Sequence, residues 1–179
     1  MLFRSVTKDV YTSEQIIQIN KTVSNYINTG YGDRPATGKI VKTDIIDFSP
    51  ELQSLLEPVI RATKKQNEEY FGFNLFDRVP YTFNVNTYEQ GYEYPFHCDA
   101  TKPTAKNDIK ITAVLNISTE QNSGGDFEFF LDGQYVRVKE LAVPGSLLLF
   151  PSVIFHRVTP VERGVRKTLS IWFDGPNWK

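Results

Sequence analysis

Apolar residues recur at helical spacing only in the first third of the chain; beyond it they alternate with polar ones or form short runs between turn signals. Thr12 and Gln15 are spaced as a capping box, and Ile16, Ile19, Val23 and Ile27 follow on one helical face, with Gly30 placed for a left-handed stop. A second helix is predicted from Ser49 as N-cap and Pro50 at the first helical position, with Glu51 at the positive end of the dipole. Leu52, Leu55, Leu56, Val59 and Ile60 form its apolar stripe, which fades over 70–72. Between the helices, residues 31–43 hold Gly32, Pro35 and Gly38 among polar neighbours and read as a loop or short irregular strands.

From Tyr81 the period changes. Phe83, Val85 and Thr87 alternate with polar residues, and 109–117 is β-branched and apolar. Strands over 127–131 and 135–138 flank Asp132-Gly133, a strong hairpin signal. Pro144-Gly145 marks a turn before the apolar run 146–150, and 153–158 and 168–173 read as the last two strands. With an extended segment around His97, about eight short strands follow two helices. Segregated helices and strands predict an α+β fold, and the strands suit a jelly-roll-like double sheet. One domain over 1–179 is expected, with a helical part over 1–75 and a β core over about 81–174.

Composition sharpens this picture at three points. Thirteen Phe, nine Tyr and two Trp beside a single Met lean towards β structure. A formal net charge of −1 gives no electrostatic footprint for a nucleic-acid backbone, so no nucleic-acid partner is expected. Cys98 is the lone cysteine, no apolar run approaches membrane-spanning length, and the first residues lack a signal-peptide pattern; cytoplasmic residence without a membrane partner is the expectation.

The chemistry centres on the only two histidines. In Phe96-His97-Cys98-Asp99, His97 and Asp99 are two apart, so an extended strand would project both from one face. The intervening chain to His156 is long enough for several strands to fold back and deliver a third ligand. Two imidazoles and one carboxylate on one face of an octahedron form the facial triad of non-haem iron(II) oxygenases. Each piece alone has an ordinary reading: a lone histidine is commonly a surface or satisfied core residue, and Asp99 suits a turn opening a polar loop.

The residues beyond His156 carry more weight. His156-Arg157-Val158-Thr159-Pro160-Val161 continues to Gly164 and Arg166; it is preceded, in order, by His97/Asp99, Gly124-Gly125, Pro144-Gly145 and Phe150-Pro151. As an ordered set over about 81–172, these motifs resemble the prolyl-4-hydroxylase-like branch of the 2-oxoglutarate oxygenases, especially the PKHD-type hydroxylases. The resemblance implies a double-stranded β-helix (jelly roll) core preceded and flanked by two N-terminal helices. It implies Fe(II) on His97, Asp99 and His156, and 2-oxoglutarate as co-substrate, with ascorbate as a reductant to be tried. Arg166 is then the anchor of the distal carboxylate, for which a planar, permanently charged fork is suited. Tyr88 and Thr168 would join it, and Tyr94 and Tyr92 would line the substrate side. The implied reaction consumes O2, hydroxylates a C–H bond and releases succinate and carbon dioxide. Its substrate would be a prolyl residue in a peptide or protein, and the presence of Asp99 favours hydroxylation over halogenation. Hydroxylation of a free amino acid or other small molecule is the alternative, and a non-catalytic jelly-roll binding module is the rival of another class. Oligomeric state is left open.

The remaining conspicuous residues take ordinary readings. Trp172 is read as core and Cys98 as packed away from its neighbours. Thr112 and Asn116 lie on a central strand that the sequence alone does not orient. Lys102, Lys106 and Lys110 are read as a solvated face, with a lid over 100–108 as the alternative, and Arg163 and Lys167 as exposed strand charges.

Overall fold

The computed structural model describes residues 3–27, 41–100 and 107–178. Its elements run β1 (Ser5–Thr7), α1 (Ser13–Ile27), β2 (Lys42–Asp47), α2 (Pro50–Leu55), α3 (Glu57–Gln66), β3 (Thr82–Tyr88), β4 (Tyr94–His97) and β5 (Asn107–Asn116). They continue β6 (Ser123–Gly124), β7 (Phe127–Leu131), β8 (Gln134–Arg137), β9 (Leu147–Pro151), β10 (His156–Val158), β11 (Val161–Arg163) and β12 (Arg166–Pro176).

Local chemistry explains the helix starts. Thr12 and Gln15 exchange the two capping bonds, Thr12 N to Gln15 Oε1 at 2.8 Å and Gln15 N to Thr12 Oγ1 at 3.3 Å. Ser49 caps α2 by accepting from Leu52 N at 3.2 Å. The second helical pattern is two helices. Pro58 has no N–H to continue the ladder, so the chain breaks at Leu56 and restarts as α3. A wider turn over Asn67–Phe71 then ends on Gly72 in the left-handed region.

The strands form two antiparallel sheets that face each other. One has six strands in the order β1-β9-β5-β12-β3-β2, the other four in the order β4-β10-β7-β8, with β6 and β11 as a small ribbon. The fold is thus the double-sheet jelly roll of the α+β expectation. Asp132 and Gly133 take positive φ of 49° and 78°, which joins β7 and β8 as a tight hairpin.

Alternation along the six-stranded sheet splits the core in two. Phe83, Val85, Ile111, Leu115, Leu169, Ile171 and Phe173 pack on the helices through Ile16, Ile19, Val23, Leu52, Leu56 and Val59. The opposite face looks into the space between the sheets, where Val114, Leu148 and Phe150 meet Phe127, Phe129 and Val158. That inner face is unusually polar for a buried surface: Asn86, Thr112, Asn116, Arg166, Thr168 and Ser170 all lie there, each nine-tenths or more buried.

Several expectations are corrected. The three-residue β1 and the strand β2 had no readable pattern, because only Ile46 of β2 is buried. Of the segment read as a loop or irregular strands, residues 42 and 43 belong to β2, paired in register with β3, while Gly30 and the segment to residue 40 lie outside the described residues. The strand read over 153–158 begins only at His156, because Ile154 N bonds Pro151 O and turns the chain, leaving Val153 and Phe155 exposed. Lys110 is buried on β5, its ammonium 3.8 Å from Asp108 and 3.5 Å from the Trp178 ring centre; Lys102 and Lys106 lie outside the described residues. Among the described residues no helix is long and apolar enough to cross a membrane.

Gly145 fixes the entry to β9. It has φ of 82°, its N–H bonds Asn116 O, its carbonyl accepts from Val10 N, and a Cβ here would collide with the Tyr11 carbonyl. Gly145→Ala is expected to cost about 1–3 kcal/mol from the left-handed backbone alone. That should appear as a fall in melting temperature on the order of 5 °C by circular dichroism.

Candidate metal centre and carboxylate pocket

β4 and β10 are antiparallel neighbours, and their register sets His97 directly opposite His156. The two imidazole rings lie 4.2 Å apart, centre to centre. Asp99 is not on the strand with His97. It lies past the end of β4 in a bend, where Asp99 N and Ala100 N both donate to Ser152 O at 2.9 and 3.0 Å. The bend still returns the carboxylate to the histidines: Oδ1 is 3.5 Å from His97 Nε2 and Oδ2 is 3.7 Å from His156 Nε2. One ligand atom from each of the three residues lies within 4.8 Å of the others.

Their surroundings prepare all three as ligands. His97 Nδ1 faces Pro95 O at 2.8 Å and His156 Nδ1 faces Ile154 O at 2.9 Å. A carbonyl only accepts, so each Nδ1 carries the proton and each Nε2 keeps a lone pair aimed at the common point. Burial lowers the His156 pKa, against the raising effect of Asp99, which favours the neutral imidazole. Burial pushes the Asp99 carboxyl up, but its interactions with His97, His156 and the Thr112 hydroxyl outweigh it and hold it below the usual range. Phe127 stacks on His156 at 5.2 Å and Phe150 meets its edge at 4.8 Å, walling the inner side. Exposure falls from 29% at the His97 side chain to 11% at Asp99 and 5% at His156, so the centre opens on the His97 side. This donor set fits a metal ion with open positions.

Arg166 opens β12 on the same inner face. It is 4% exposed, its Nη1 is buried without a partner among the described residues, and its guanidinium carbon sits 5.1 Å over the Tyr88 ring. Burial pushes the Tyr88 hydroxyl up to about 12, so it stays a neutral phenol. A buried guanidinium with a free donor fits a carboxylate. Gly125 makes room for it: at φ of 65°, a Cβ there would come within 2.9 Å of both Arg166 Cδ and Val161 Cγ2. Thr168 is buried on the same face two positions on. Tyr94 packs its ring 4.2 Å from that of His97, while Tyr92 lies farther out under the Lys42 ammonium.

Of the other conspicuous residues, Cys98 and Arg163 follow expectation, whereas Trp172 and Lys167 do not. Asn116 is engaged with Leu141 O and Ser118 N and closes the strand end. Cys98 is half-buried, its Sγ 3.9 Å from Ala100 O, and takes no part in the cluster. Trp172, read as core, is on the inner face and only half-buried. It is paired across the sheet with Thr112, and its Nε1 is buried without a partner among the described residues. The signal was its even spacing from Arg166 and Thr168, which places all three on one face of β12. Arg163 is exposed and Lys167 half-buried.

A double-sheet fold with two histidines and a carboxylate at its open end defines a mononuclear metal-dependent oxygenase architecture. Residues 83–174 match the 2OG-Fe(II) oxygenase superfamily, and the chain belongs to that family. Among curated relatives, a PKHD-type hydroxylase of Burkholderia ambifaria is 30% identical over 145 residues, covering 76% of this chain and 61% of the relative. A PKHD-type hydroxylase of Escherichia coli is 28% identical over 172 residues, covering 93% of this chain and 73% of the relative. The chain thus spans 61% of the Burkholderia relative's length, and 57% of that of a Xylella fastidiosa PKHD-type hydroxylase. A Pseudomonas putida prolyl-4-hydroxylase superposes with TM-score 0.75 at 21% identity, over 98% of this chain and 94% of that one. The viral collagen prolyl hydroxylase of Paramecium Bursaria Chlorella virus-1 superposes with TM-score 0.70 at 13% identity, over 98% and 97% of the two chains.

Gly125→Ala is expected to displace the Arg166 side chain and weaken 2-oxoglutarate binding about tenfold while leaving Fe(II) affinity unchanged, since each misplaced charge-assisted bond costs about 1.5–3 kcal/mol. Calorimetric titration of the metal-loaded variant checks this; equal loss of both ligands would point to a collapsed site.

Proposed function

We propose that this chain is a 2-oxoglutarate- and Fe(II)-dependent dioxygenase that hydroxylates a C–H bond of a prolyl residue in a peptide or protein, releasing succinate and carbon dioxide. The observation that carries the reading is the convergence of His97, Asp99 and His156 on one point, in a fold whose inner sheet face also buries an arginine with an unsatisfied donor. A non-catalytic module gives no reason for this pairing of sites.

Iron(II) and 2-oxoglutarate, when bound, would supply the oxidising chemistry, with dioxygen as the oxidant that leaves one atom in succinate and one in the substrate. The chain supplies everything else. His97 and His156 would hold the iron through Nε2 and Asp99 through its carboxylate, with each ring locked by its carbonyl partner. Arg166 pairs the distal carboxylate of the co-substrate, with the Tyr88 phenol and the Thr168 hydroxyl beside it. Phe127 and Phe150 exclude water from the inner side. The half-open side, where Tyr94 covers His97, receives the substrate, with Tyr92 beyond it.

The prolyl substrate rests on what similar proteins are: relatives of the PKHD type and solved neighbours that include a prolyl hydroxylase from Trichoplax adhaerens in complex with a peptide fragment. Cytoplasmic residence belongs to the same proposal, supported by a single cysteine.

The test incubates the protein with Fe(II), ascorbate, 2-oxoglutarate and a panel of proline-containing peptides under air, reading succinate and the gain of one oxygen atom by mass spectrometry. Peptide-dependent succinate with oxygen on proline is expected. Oxygen on free amino acids instead would move the substrate to a small molecule, and no succinate under any condition would contradict the reading. His97→Ala and His156→Ala should fall to background, since no third histidine exists in the chain. Arg166→Ala should raise the 2-oxoglutarate requirement on the order of a hundredfold, the loss of a buried bidentate pair.

A further inference from the structure

Asp99 is held by more than its place in the chain. Thr112 Oγ1 lies 2.7 Å from Asp99 Oδ2 and 2.9 Å from Ser152 Oγ. Both hydroxyl residues are sealed from solvent, Thr112 at 1% and Ser152 at 0% exposure. A hydroxyl has one proton to give, and an ionised carboxylate has none. Thr112 therefore donates to Asp99, and its oxygen must accept the proton of Ser152. The polarity of the three-residue wire is fixed: Ser152 to Thr112 to Asp99. Ser152 acts on Asp99 a second time through its carbonyl, which accepts from both Asp99 N and Ala100 N. Side chain and backbone of the metal-facing carboxylate are thus tied to the middle of β5, through Thr112, and to the residue that follows its neighbour β9, Ser152.

A carboxylate can bind a metal through one oxygen or two. With two imidazoles already bound, a two-oxygen aspartate leaves an octahedral ion two positions, and a one-oxygen aspartate leaves three. A chelating oxo acid together with dioxygen needs three. We propose that Thr112, backed by Ser152, is a positioning residue that holds Asp99 in the one-oxygen mode: its hydroxyl engages Oδ2 and leaves Oδ1 for the metal. The proposal rests on the reading that His97, Asp99 and His156 bind iron.

The experiment compares wild type, Thr112→Val, Thr112→Ser, Ser152→Ala and the Thr112→Val/Ser152→Ala double variant. Under anaerobic conditions it reads Fe(II) affinity and the visible charge-transfer band that forms on adding 2-oxoglutarate, with thermal unfolding of the metal-free proteins as the folding control. Thr112→Val keeps the side-chain shape and removes the hydroxyl, which is both the donor to Asp99 and the acceptor of Ser152. It should weaken Fe(II) binding about 10- to 100-fold and shift or weaken the band. Thr112→Ser should restore both. Ser152→Ala should move both in the same direction by less, and should add nothing in the Thr112→Val background, because the wire is already cut. A Thr112→Val protein with wild-type affinity and band overturns the proposal and leaves the iron triad standing, and so does a Thr112→Ser protein no better than Thr112→Val. A wild type that folds but takes up no Fe(II) overturns both readings together.

Discussion

An ionised carboxylate buried between two apolar-cored sheets is the constraint that the rest of the structure answers to. Desolvating Asp99 is unfavourable, and an isolated charge there would be neutralised or expelled. It persists because the Thr112 hydroxyl donates to it and the backbone is braced through Ser152, with the two imidazoles gathered beside it as ligands for a cation. The same groups that make the burial tolerable also aim the carboxylate, so the electrostatic solution and the candidate metal site are one arrangement. A cation placed at the convergence would relieve the remaining imbalance, which is why the donor set reads as prepared and not merely coincident.

The six-stranded sheet makes this possible by giving its two faces different work. Toward the helices it presents a continuous apolar surface that supplies much of the stabilising burial. Toward the four-stranded sheet it presents Asn86, Thr112, Asn116, Arg166, Thr168, Ser170 and Trp172. Some of these satisfy one another, as Asn86 does with Ser170 at 3.1 Å. Two do not: Arg166 Nη1 and Trp172 Nε1 are buried donors without acceptors among the described residues. Unsatisfied donors are costly in a folded interior, and on a face that also carries Thr112 and Thr168 they are best accounted for by ligands with oxygen acceptors.

Much of this was legible in the residues themselves, and the exceptions have physical causes. The capping box at Thr12, the Ser49-Pro50 start and the Asp132-Gly133 hairpin are local devices, so a short window of sequence contains them whole. The His97, Asp99 and His156 convergence was readable because no other histidine competes. By contrast β1 and β2 are held by their neighbours in the sheet and carry no alternation of their own. Lys110 looked solvated because its partners, Asp108 and Trp178, come together only in the folded chain. Asp99 was expected on the strand with His97, but its position comes from Ser152, far along the chain, and the Thr112 contact was hidden because the sequence alone does not orient β5. Trp172 was read as core by its residue type, whereas its parity with Arg166 along β12 carried the better information.

The central claim is that the triad and Arg166 form a single chamber in which a metal ion and an oxo acid bind together. Calorimetric titration of 2-oxoglutarate into the protein, anaerobically, with and without Mn(II) as a redox-silent substitute for Fe(II), tests it most directly. The account predicts one co-substrate per chain, bound tightly only when the metal is present, because one end of the acid chelates the ion while the other meets the guanidinium. Binding of equal strength with and without metal, or no binding by the metal-loaded protein, would contradict it.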